Sequence, residues 1–388
     1  MTACSISSAA VAALSTSSIL FGVSNLANAN EVPITCAAGG CPADMKIKIG
    51  GVSHGNTADS FWDPIYAAAE RSAIDSNVEL DFERFDSGTV QQQVDRIKKL
   101  CGGDNPDMNG VFSTISDPAV LEALKSNCLA NGIPTIVINS GHDLADAVNE
   151  DGTSGTFLHF VGADDYTTGK DSGDKLVSTC PECDTFYCID HCGNCTSWFQ
   201  RCRGFGEVVG SENGQITIDD TNVDTYISSI EEVVGTNGTW DNIGLLAGVQ
   251  SSLVGYAAAL AKKYPGVKIA GIDTSPELYE VLADENDGSM LWGTDQQPFL
   301  QGYYPVQLLA NKLRIGQNLQ DFNLETGPTF VTEGPDAALL ECTANPFVNC
   351  DDTEKVKDTS SSASGGINMA VIAHGGMLCI LVASYMLG

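Results

Sequence analysis

Ten short apolar runs recur along the chain from Lys46 onward, each of a length suited to one β-strand. One of them, VELDFERF, alternates apolar and polar residues in the manner of a half-buried strand. The ten runs are, in order, KIKIGGV, VELDFERF, MNGVFST, IPTIVINS, TFLHFVGAD, DTFYCID, QITIDD, NIGLLAG, VKIAGID and SMLWGTD.

Amphipathic stretches lie between these runs and predict helices. DPIYAAAERSAIDS begins with Asp63 as a helix cap and Pro64 at the first helical position. DPAVLEALKSNCLANG has the same start and closes at Gly132. Alternating strands and helices predict parallel sheets covered on both faces. Ten strands exceed the eight of a (β/α)8 barrel, so we expect an α/β fold with two doubly wound lobes.

The charge balance excludes one class of partner. The chain has 50 Asp and Glu residues against 19 Lys and Arg, a net charge of −31. Such a surface repels phosphate backbones, which argues against nucleic acid. The composition instead fits a soluble protein with an acidic surface, and 388 residues at 43% hydrophobic content can bury a substantial core.

Both ends of the chain lack charge and predict processing signals. No charged residue occurs before Glu31 or after Asp358. Residues 1–29 predict a secretory signal peptide, since an apolar stretch precedes a small-residue cleavage site at Ala29.

The other end predicts a lipid anchor. Residues 351–365 have the composition of a flexible stalk, and residues 366–388 form a hydrophobic tail with no basic residue after it. This pattern favours a GPI-attachment propeptide, with the site near Ser364 or Gly365, over a tail-anchor helix. We therefore expect a secreted protein held on the outer face of the plasma membrane.

The cysteine count supports an oxidising compartment. Removing Cys4 and Cys379 with the two end segments leaves an even 12 of the 14 cysteines, which predicts disulfides. Short intervening loops favour three pairs: Cys36–Cys41, Cys101–Cys128 and Cys342–Cys350. The cluster CPECDTFYCIDHCGNC has zinc-knuckle spacing within its CPEC and CGNC pairs, so metal binding is the alternative to disulfides there. Asn194 and Asn237 stand in glycosylation sequons.

Polar and aromatic side chains follow most of the predicted strands. Ligands of open α/β sheets bind beyond the carboxyl ends of the strands, so these residues are candidates for a site. A single Asp at such a place is typically a helix cap, which is our interpretation of Asp164 and Asp165 taken singly. The residues that follow strands are Ser53, His54, Asp59, Phe61, Trp62, Asn139, Ser140, Asp164, Asp165, Asp190, His191, Asn194, Gln250, Asp273, Asp295 and Gln296.

Taken together these residues favour a ligand cleft. Carboxylates and amides bond neighbouring hydroxyls in pairs, and aromatic rings pack against the C–H face of a sugar. Asp273 would orient the ligand, because bonds to a carboxylate are the stronger ones. The set contains neither a Ser/His/Asp arrangement nor a phosphate-binding glycine loop.

The chain resembles the periplasmic sugar-binding proteins of bacterial transporters, in the ribose-binding-like branch. The resemblance extends from about Lys46 to Leu313. It rests on HGNTADSFW, GIPTIVINS, VGADDYTTGKDSG, CIDHCGNCTSWFQRCRGF, GIDTSPELYEVL and, most specifically, GTDQQPFLQGYYPV.

The resemblance implies two lobes joined by three crossings that close over a monosaccharide-like ligand. Its lobes map to residues 46–163 with 296–335, and to residues 164–295. It also implies a Cys188–Cys202 disulfide. The ligand-binding residues it implies, together with those that follow strands, are Asp59, Phe61, Trp62, Asn139, His191, Asn194, Arg201, Gln250, Asp273, Asp295 and Gln296.

We expect a binding protein for a monosaccharide or polyol, with no cofactor or metal and with a membrane transporter or receptor as its partner. Two departures from the family pattern put the identity of the sugar in question: Val249 with Gln250, and Phe199 in place of an arginine. Two alternatives stand beside this expectation. One is an enzyme using His191 with a free Cys192 or Cys195 as nucleophile. The other is a structural surface protein that has lost binding.

Overall fold

Each of the ten predicted strands contains an observed strand, and two shorter strands follow them in the chain. The computed structural model describes residues 46–102, 108–152, 157–191, 193, 195–210, 214–235, 240–249, 252–283, 290–317 and 323–332. Within these residues the strands form two six-stranded sheets.

The first sheet is parallel throughout. Its spatial order is β11-β5-β4-β3-β1-β2. Its strands are β1 (Lys48–Val52), β2 (Glu79–Phe82), β3 (Gly110–Ser113), β4 (Thr135–Ile138), β5 (His159–Gly162) and β11 (Leu324–Glu325).

The second sheet repeats this order and ends in an antiparallel edge strand. Its spatial order is β12-β10-β9-β8-β6-β7, and only the β10–β12 pair is antiparallel. Its strands are β6 (Thr185–Asp190), β7 (Gln215–Thr217), β8 (Ile243–Gly248), β9 (Lys268–Ile272), β10 (Met290–Asp295) and β12 (Thr329–Val331).

Helices connect successive strands of each sheet. The predicted helix at residues 117–132 begins as α3 and continues as a π-helical segment, Leu124–Leu129. A short 3-10 turn, Ser60–Trp62, precedes α1. The helices are α1 (Asp63–Asp75), α2 (Val90–Cys101), α3 (Pro118–Ala123), α4 (His142–Asp151), α5 (Asp165–Thr179), α6 (Thr196–Val209), α7 (Val223–Val234), α8 (Ser252–Lys263), α9 (Pro276–Ala283) and α10 (Pro298–Ile315).

Apolar side chains cover both faces of each sheet. Successive residues of a strand point to opposite faces, so Val111 and Phe112 of β3 enter different hydrophobic clusters. Leu245 and Leu246 of β8 do the same in the second sheet. The structure therefore confirms two doubly wound α/β lobes, each with its own core.

The chain passes between the two sheets at three places. It leaves the first sheet after β5, returns after β10 through α10, and crosses again between β11 and β12. Segment 296–335, which the resemblance places in the first lobe, thus contributes one strand to each sheet. The exact lobe boundaries stay a prediction.

Helices α5 and α6 approach one another closely at two glycines. A Cβ on Gly169 would lie 1.9 Å from the carbonyl oxygen of Arg201, and one on Gly204 would lie 2.1 Å from that of Tyr166. Only glycine fits at either position. The contact places the start of α5 beside Arg201.

Among the residues described above, no helix is both long and apolar enough to span a bilayer.

Candidate functional site

The strand order locates a crevice in each lobe. In a sheet of order 2-1-3-4-5 the chain changes direction between β1 and β3, and ligands bind beyond the carboxyl ends of the strands at that point. The second sheet has its equivalent point between β6 and β8. We call the space bordered by the carboxyl ends of both sheets the cleft.

A buried polar cluster lies on the second-lobe side of the cleft. Arg201 of α6 donates from Nε to Asp165 Oδ1 at 2.8 Å and from Nη2 to Gln296 Oε1 at 3.3 Å. Its guanidinium carbon lies 5.4 Å from the centre of the Trp198 ring. Gln296 in turn donates from Nε2 to Asp273 Oδ1. These four polar residues, Arg201, Asp165, Gln296 and Asp273, form the Arg201 cluster, and the most exposed of them, Asp165, is 7% exposed.

Burial controls the charge of this cluster. Desolvation raises the pKa of Asp165 to about 6, although the adjacent Arg201 opposes the rise. Burial also raises the pKa of Asp273, again against the pull of Arg201. Asp295, which accepts a bond from the backbone N–H of Gln297 at 2.7 Å, has its pKa raised by burial to about 6. Burial therefore opposes the charged forms of these carboxylates, and the Arg201 guanidinium offsets that effect at Asp165 and Asp273.

Two strand ends share an uncommon backbone conformation. Asn139 after β4 has φ +59°, and Asp273 after β9 has φ +78°. The two strands occupy equivalent places in the two sheets. Left-handed backbone outside glycine is uncommon and clusters at functional sites, and Asn and Asp tolerate it best. The repetition supports a role for both residues in the cleft.

The segment GTDQQPFLQGYY forms the second crossing, and its side chains connect the Arg201 cluster to Asn139 of the first lobe. Gln301 Nε2 donates to the Gln296 carbonyl at 2.9 Å and to Thr326 Oγ1 at 3.1 Å, and Gln301 Oε1 accepts from Asn139 Nδ2 at 3.0 Å. Thr326 Oγ1 also donates to the Gln296 carbonyl at 2.7 Å. The polar residues after β10 therefore serve two purposes: Gln296 belongs to the Arg201 cluster, and Gln301 fixes the crossing.

His142 links the lobes at the first crossing. Its Nδ1 lies 3.2 Å from Oδ2 of Asp164, the cap of α5, and its Nε2 lies 2.9 Å from the Asn323 amide nitrogen. Nearby, Gln200 of α6 donates to Asp143 of α4. Of the side chains that the structure describes, His142, Asp143 and Asp164 form the group that could hold a metal, with ligand atoms within 4.8 Å of one another. Hydrogen bonds already engage both ring nitrogens of His142, so we assign the group to contact between the lobes.

We expect His142 to make stability depend on pH. Its bond to Asp164 and the charges of Asp146 and Asp143 raise its pKa above 6.5, against partial burial. Since the folded pKa is raised, the contribution is complete below pH 6.5 and is lost as pH rises through the folded pKa. The same bond lowers the pKa of Asp164 to about 2, and that contribution is lost only as pH falls below 3.8. The difference in unfolding free energy between the wild type and His142→Gln, measured by urea denaturation, should shrink as pH rises from 5.5 to 8.5, because the other titrating groups contribute equally to both proteins. A difference that stays constant over this range would contradict the assignment.

The predicted aromatic residues lie deeper than sequence reasoning placed them. Phe61 and Trp62 are 6% and 2% exposed and belong to the hydrophobic cluster of the first lobe. Trp62 presents its ring to His54, with centroids 4.8 Å apart and planes at 79°. Asp59 accepts from the Phe61 backbone N–H at 3.1 Å and so caps the 3-10 turn. A stacking role for Trp62 stays a prediction, but its place in the core is an observation.

Trp62 should consequently support the fold. We expect Trp62→Phe to lower the free energy of unfolding by about 1–2 kcal/mol, because the smaller ring leaves a cavity in the first-lobe core. Phe199→Ala is a suitable control, since Phe199 is 55% exposed. Chemical denaturation measures both; equal stability of the two variants would contradict the burial of Trp62.

The structure contains two of the predicted disulfides. Cys101 is bonded to Cys128 and Cys188 to Cys202. It also contains Cys180–Cys183, and Cys195 is disulfide-bonded as well. These bonds occupy the cysteines of CPEC and one of CGNC, which disfavours the zinc alternative. They also remove Cys195 as a nucleophile for the enzyme alternative.

Val249 is fully buried in the second-lobe core, where its side chain fills the space beside Gly271.

Several residues named by the sequence predictions lie outside the described part of the chain: Cys36, Cys41, Cys192, Asn194, Asn237, Gln250, Cys342 and Cys350.

Four residues that the structure brings to the cleft or its hinge are absent from the ligand-binding set predicted from the sequence. Asp165 was interpreted as a helix cap, but Asp164 caps α5 by accepting from Thr167, and Asp165 pairs with Arg201. His54 is among the residues that follow predicted strands, but it is absent from the predicted ligand-binding residues. Gln301 and Thr326 carried no signal, because their partners are distant in sequence.

Comparisons with known proteins agree with this architecture. A family model described as "Periplasmic binding protein domain" matches residues 49–318. The xylose/arabinose-binding protein XylF of Sulfolobus acidocaldarius is 21% identical over 267 residues, which are 66% of this chain and 64% of that protein. The chain thus spans somewhat less than two thirds of this relative's length.

Solved structures share the fold. A carbohydrate transporter from Acidothermus cellulolyticus 11B, in complex with myo-inositol, has a TM-score of 0.63 at 22% identity, covering 77% of this chain and 98% of that one. GanP, a glucose-galactose binding protein from Geobacillus stearothermophilus, has a TM-score of 0.60 at 16% identity, covering 74% and 98%. The resemblance drawn from the sequence is confirmed: the chain belongs to the periplasmic binding protein family, with the two-lobed fold of its sugar-binding members.

Proposed function

We propose that this protein captures a small neutral polar ligand, a monosaccharide or polyol, by closing its two lobes around it. The observation that carries the proposal is the Arg201 cluster, a set of buried hydrogen-bonding groups at the carboxyl ends of the second-lobe strands. Asn139 lies at the equivalent strand end of the first lobe. A ligand that bonds both sets favours the closed arrangement by the difference in its affinity for the two states.

The charges of the cleft favour a neutral ligand. Arg201 is already paired with Asp165, and Asp273 and Asp295 add two further buried carboxylates. An anionic ligand would meet these carboxylates and the −31 net charge of the chain. Hydroxyl groups, in contrast, can donate to the carboxylates and accept from the guanidinium and amide.

A binding screen tests this proposal. Titration calorimetry at pH 7 should detect binding of at least one of D-xylose, L-arabinose, D-glucose, D-galactose and myo-inositol. The matched anionic controls, glucose 6-phosphate and glucuronate, should bind more weakly than the parent sugar. Absence of binding by every neutral compound, or preference for the anions, would contradict the proposal.

We further propose that the protein is secreted, is held on the outer surface by a lipid anchor, and delivers its ligand to a membrane transporter or receptor. Support for the first two points comes from sequence alone, since residues 1–29 and 366–388 lie outside the described part of the chain. Membership of the periplasmic binding protein family supports a role as a binding protein. The resemblance of the sequence to the sugar-binding proteins of bacterial transporters supports the third point.

Phosphatidylinositol-specific phospholipase C should release the protein from intact cells, because the predicted anchor has no spanning segment after processing. Immunoblotting of the supernatant checks this, with a transmembrane surface protein as the control. Retention after treatment, with the hydrophobic tail still detected by mass spectrometry, would rule the anchor out.

A further inference from the structure

Each lobe places a histidine directly at its switch point. His54 follows the carboxyl end of β1 by two residues, and His191 follows β6 immediately. Each imidazole packs in a T-shaped arrangement against a tryptophan of the next turn or helix, Trp62 for His54 and Trp198 for His191. The ring centroids are 4.8 Å apart in both pairs, with planes at 79° and 74°. The two lobes thus repeat the same local arrangement at the two strands that border the cleft.

His54 has an unused hydrogen-bonding atom. Its Nδ1 is enclosed, yet it has no hydrogen-bond partner among the residues that the structure describes. The backbone N–H of His54 donates to Thr114 Oγ1 at 3.2 Å, which fixes the residue beside β3. A buried polar atom without a partner destabilises the fold, because it has lost its hydrogen bonds to water. A bound ligand hydroxyl would restore one of them.

Both histidines face the same cation. The charge of Arg201 in the second lobe lowers the pKa of His54 in the first lobe, together with the larger effect of burial, to about 4. Burial and Arg201 also lower the pKa of His191 to about 4, and Asp190 opposes the change. Both imidazoles are therefore neutral at pH 7, and the charge of Arg201 acts on a histidine of each lobe.

We propose that His54 and His191 are paired ligand-binding residues, one from each lobe, which bond hydroxyl groups of the ligand. His54 Nδ1 accepts a hydrogen bond from one ligand hydroxyl, and the T-shaped contact with Trp62 holds the imidazole ring in place. This inference rests on the proposed function, because it assigns contacts to the ligand named there. The pair would also select among ligands. Arg201 would repel a cationic ligand group, and an anionic ligand group would have no proton to donate to His54 Nδ1.

The pairing also predicts that acid releases the ligand. The groups facing His54 and His191 are Arg201 and Asp190, and the neighbouring carboxylates are those of Asp165, Asp273 and Asp295. Asp165 and Asp295 lose their charge around pH 6, before the histidines gain theirs around pH 4. Protonating either imidazole removes its acceptor atom and places a second positive charge beside Arg201. Binding should therefore weaken in two steps, of which only the lower belongs to the histidines.

Calorimetry with D-xylose and myo-inositol tests the pair. At pH 7, His54→Ala should weaken binding about 10- to 30-fold, and His54→Asn should restore most of it, because the Asn side chain supplies an acceptor near the Nδ1 position. Between pH 5 and pH 3.5 the wild type should lose about tenfold or more in affinity. His54→Asn should lose about fourfold less than the wild type, since one titrating group is gone.

His159→Asn is the matched control. His159 lies buried in β5, and burial alone lowers its pKa, without a contribution from Arg201. Its replacement should leave the pH profile of binding unchanged. Circular dichroism at each pH confirms that the compared variants are folded. If His54→Ala does not fold, His54→Asn becomes the test variant, and its acid dependence of binding is compared with that of the wild type.

The outcomes separate the two proposals. If the wild type binds either probe and His54→Ala binds it equally well, the histidine pair is wrong while the proposed function stands. The same follows if His54→Asn retains the full acid dependence of the wild type. If none of the five neutral compounds of the screen binds the wild type at pH 7, the proposed function fails and this inference fails with it.

Discussion

Replacing Arg201 with alanine should destabilise the protein by about 3–5 kcal/mol and abolish ligand binding. The change removes the partner of Asp165, a carboxylate that is 7% exposed and already has its pKa raised by burial to about 6. It also removes the bond to Gln296 and the contact with the Trp198 ring. An unpaired buried carboxylate must either stay charged at high cost or take up a proton, so unfolding becomes easier.

Arg203→Ala on the same helix is the control. Arg203 is exposed, and its guanidinium carbon lies 4.7 Å from the centre of the Tyr166 ring. We expect a change of at most about 1 kcal/mol. Denaturant unfolding at pH 7 measures both, and the double variant Arg201→Met with Asp165→Asn should recover part of the loss, because both charges are removed. Equal stability of the two single variants would show that Arg201 is not a buried, paired cation.

Asp273→Asn should weaken ligand binding by about 2–3 kcal/mol, or roughly 30- to 150-fold, without lowering the stability of the ligand-free protein. Asparagine tolerates the left-handed backbone at φ +78°, which alanine does not, and keeps an oxygen for the Gln296 amide. Burial raises the pKa of Asp273, so its charge opposes folding, and removing the charge should leave the free energy of unfolding equal or higher.

Calorimetry with the best sugar from the screen, together with urea unfolding, separates these two effects. Asp219→Asn, at an exposed turn of the second lobe, should change neither quantity. A loss of stability in Asp273→Asn with unchanged affinity would place Asp273 in the scaffold rather than in the site.

Most of the fold could be predicted because its strands are local signals. Runs such as IPTIVINS and NIGLLAG are short, apolar and separated by helical patterns, and each contains an observed strand. The edge strands Leu324–Glu325 and Thr329–Val331 were missed, because two or three residues carry no periodicity and owe their conformation to the sheet beside them.

The candidate site was predictable only as a set of strand ends. Asp273 and Gln296 could be selected because they follow β9 and β10, but nothing local indicates that Gln296 bridges Asp273 and Arg201. Asp165 resembled a helix cap because its partner lies 36 residues away. Trp62 was predicted to line the cleft, whereas the apolar neighbours that bury it come from several elements. Burial depends on the whole fold, and a pattern of residue types does not report it.

Small-angle scattering with and without ligand tests the central claim most directly, since it measures closure rather than binding alone. The claim is that two lobes grip one ligand, so the radius of gyration of the ectodomain should fall when the best sugar from the screen is added at saturation. The ligand concentration that produces half of the change should match the dissociation constant from calorimetry, and Asp273→Asn should require correspondingly more. A radius of gyration that stays constant while calorimetry reports saturation would contradict capture by lobe closure.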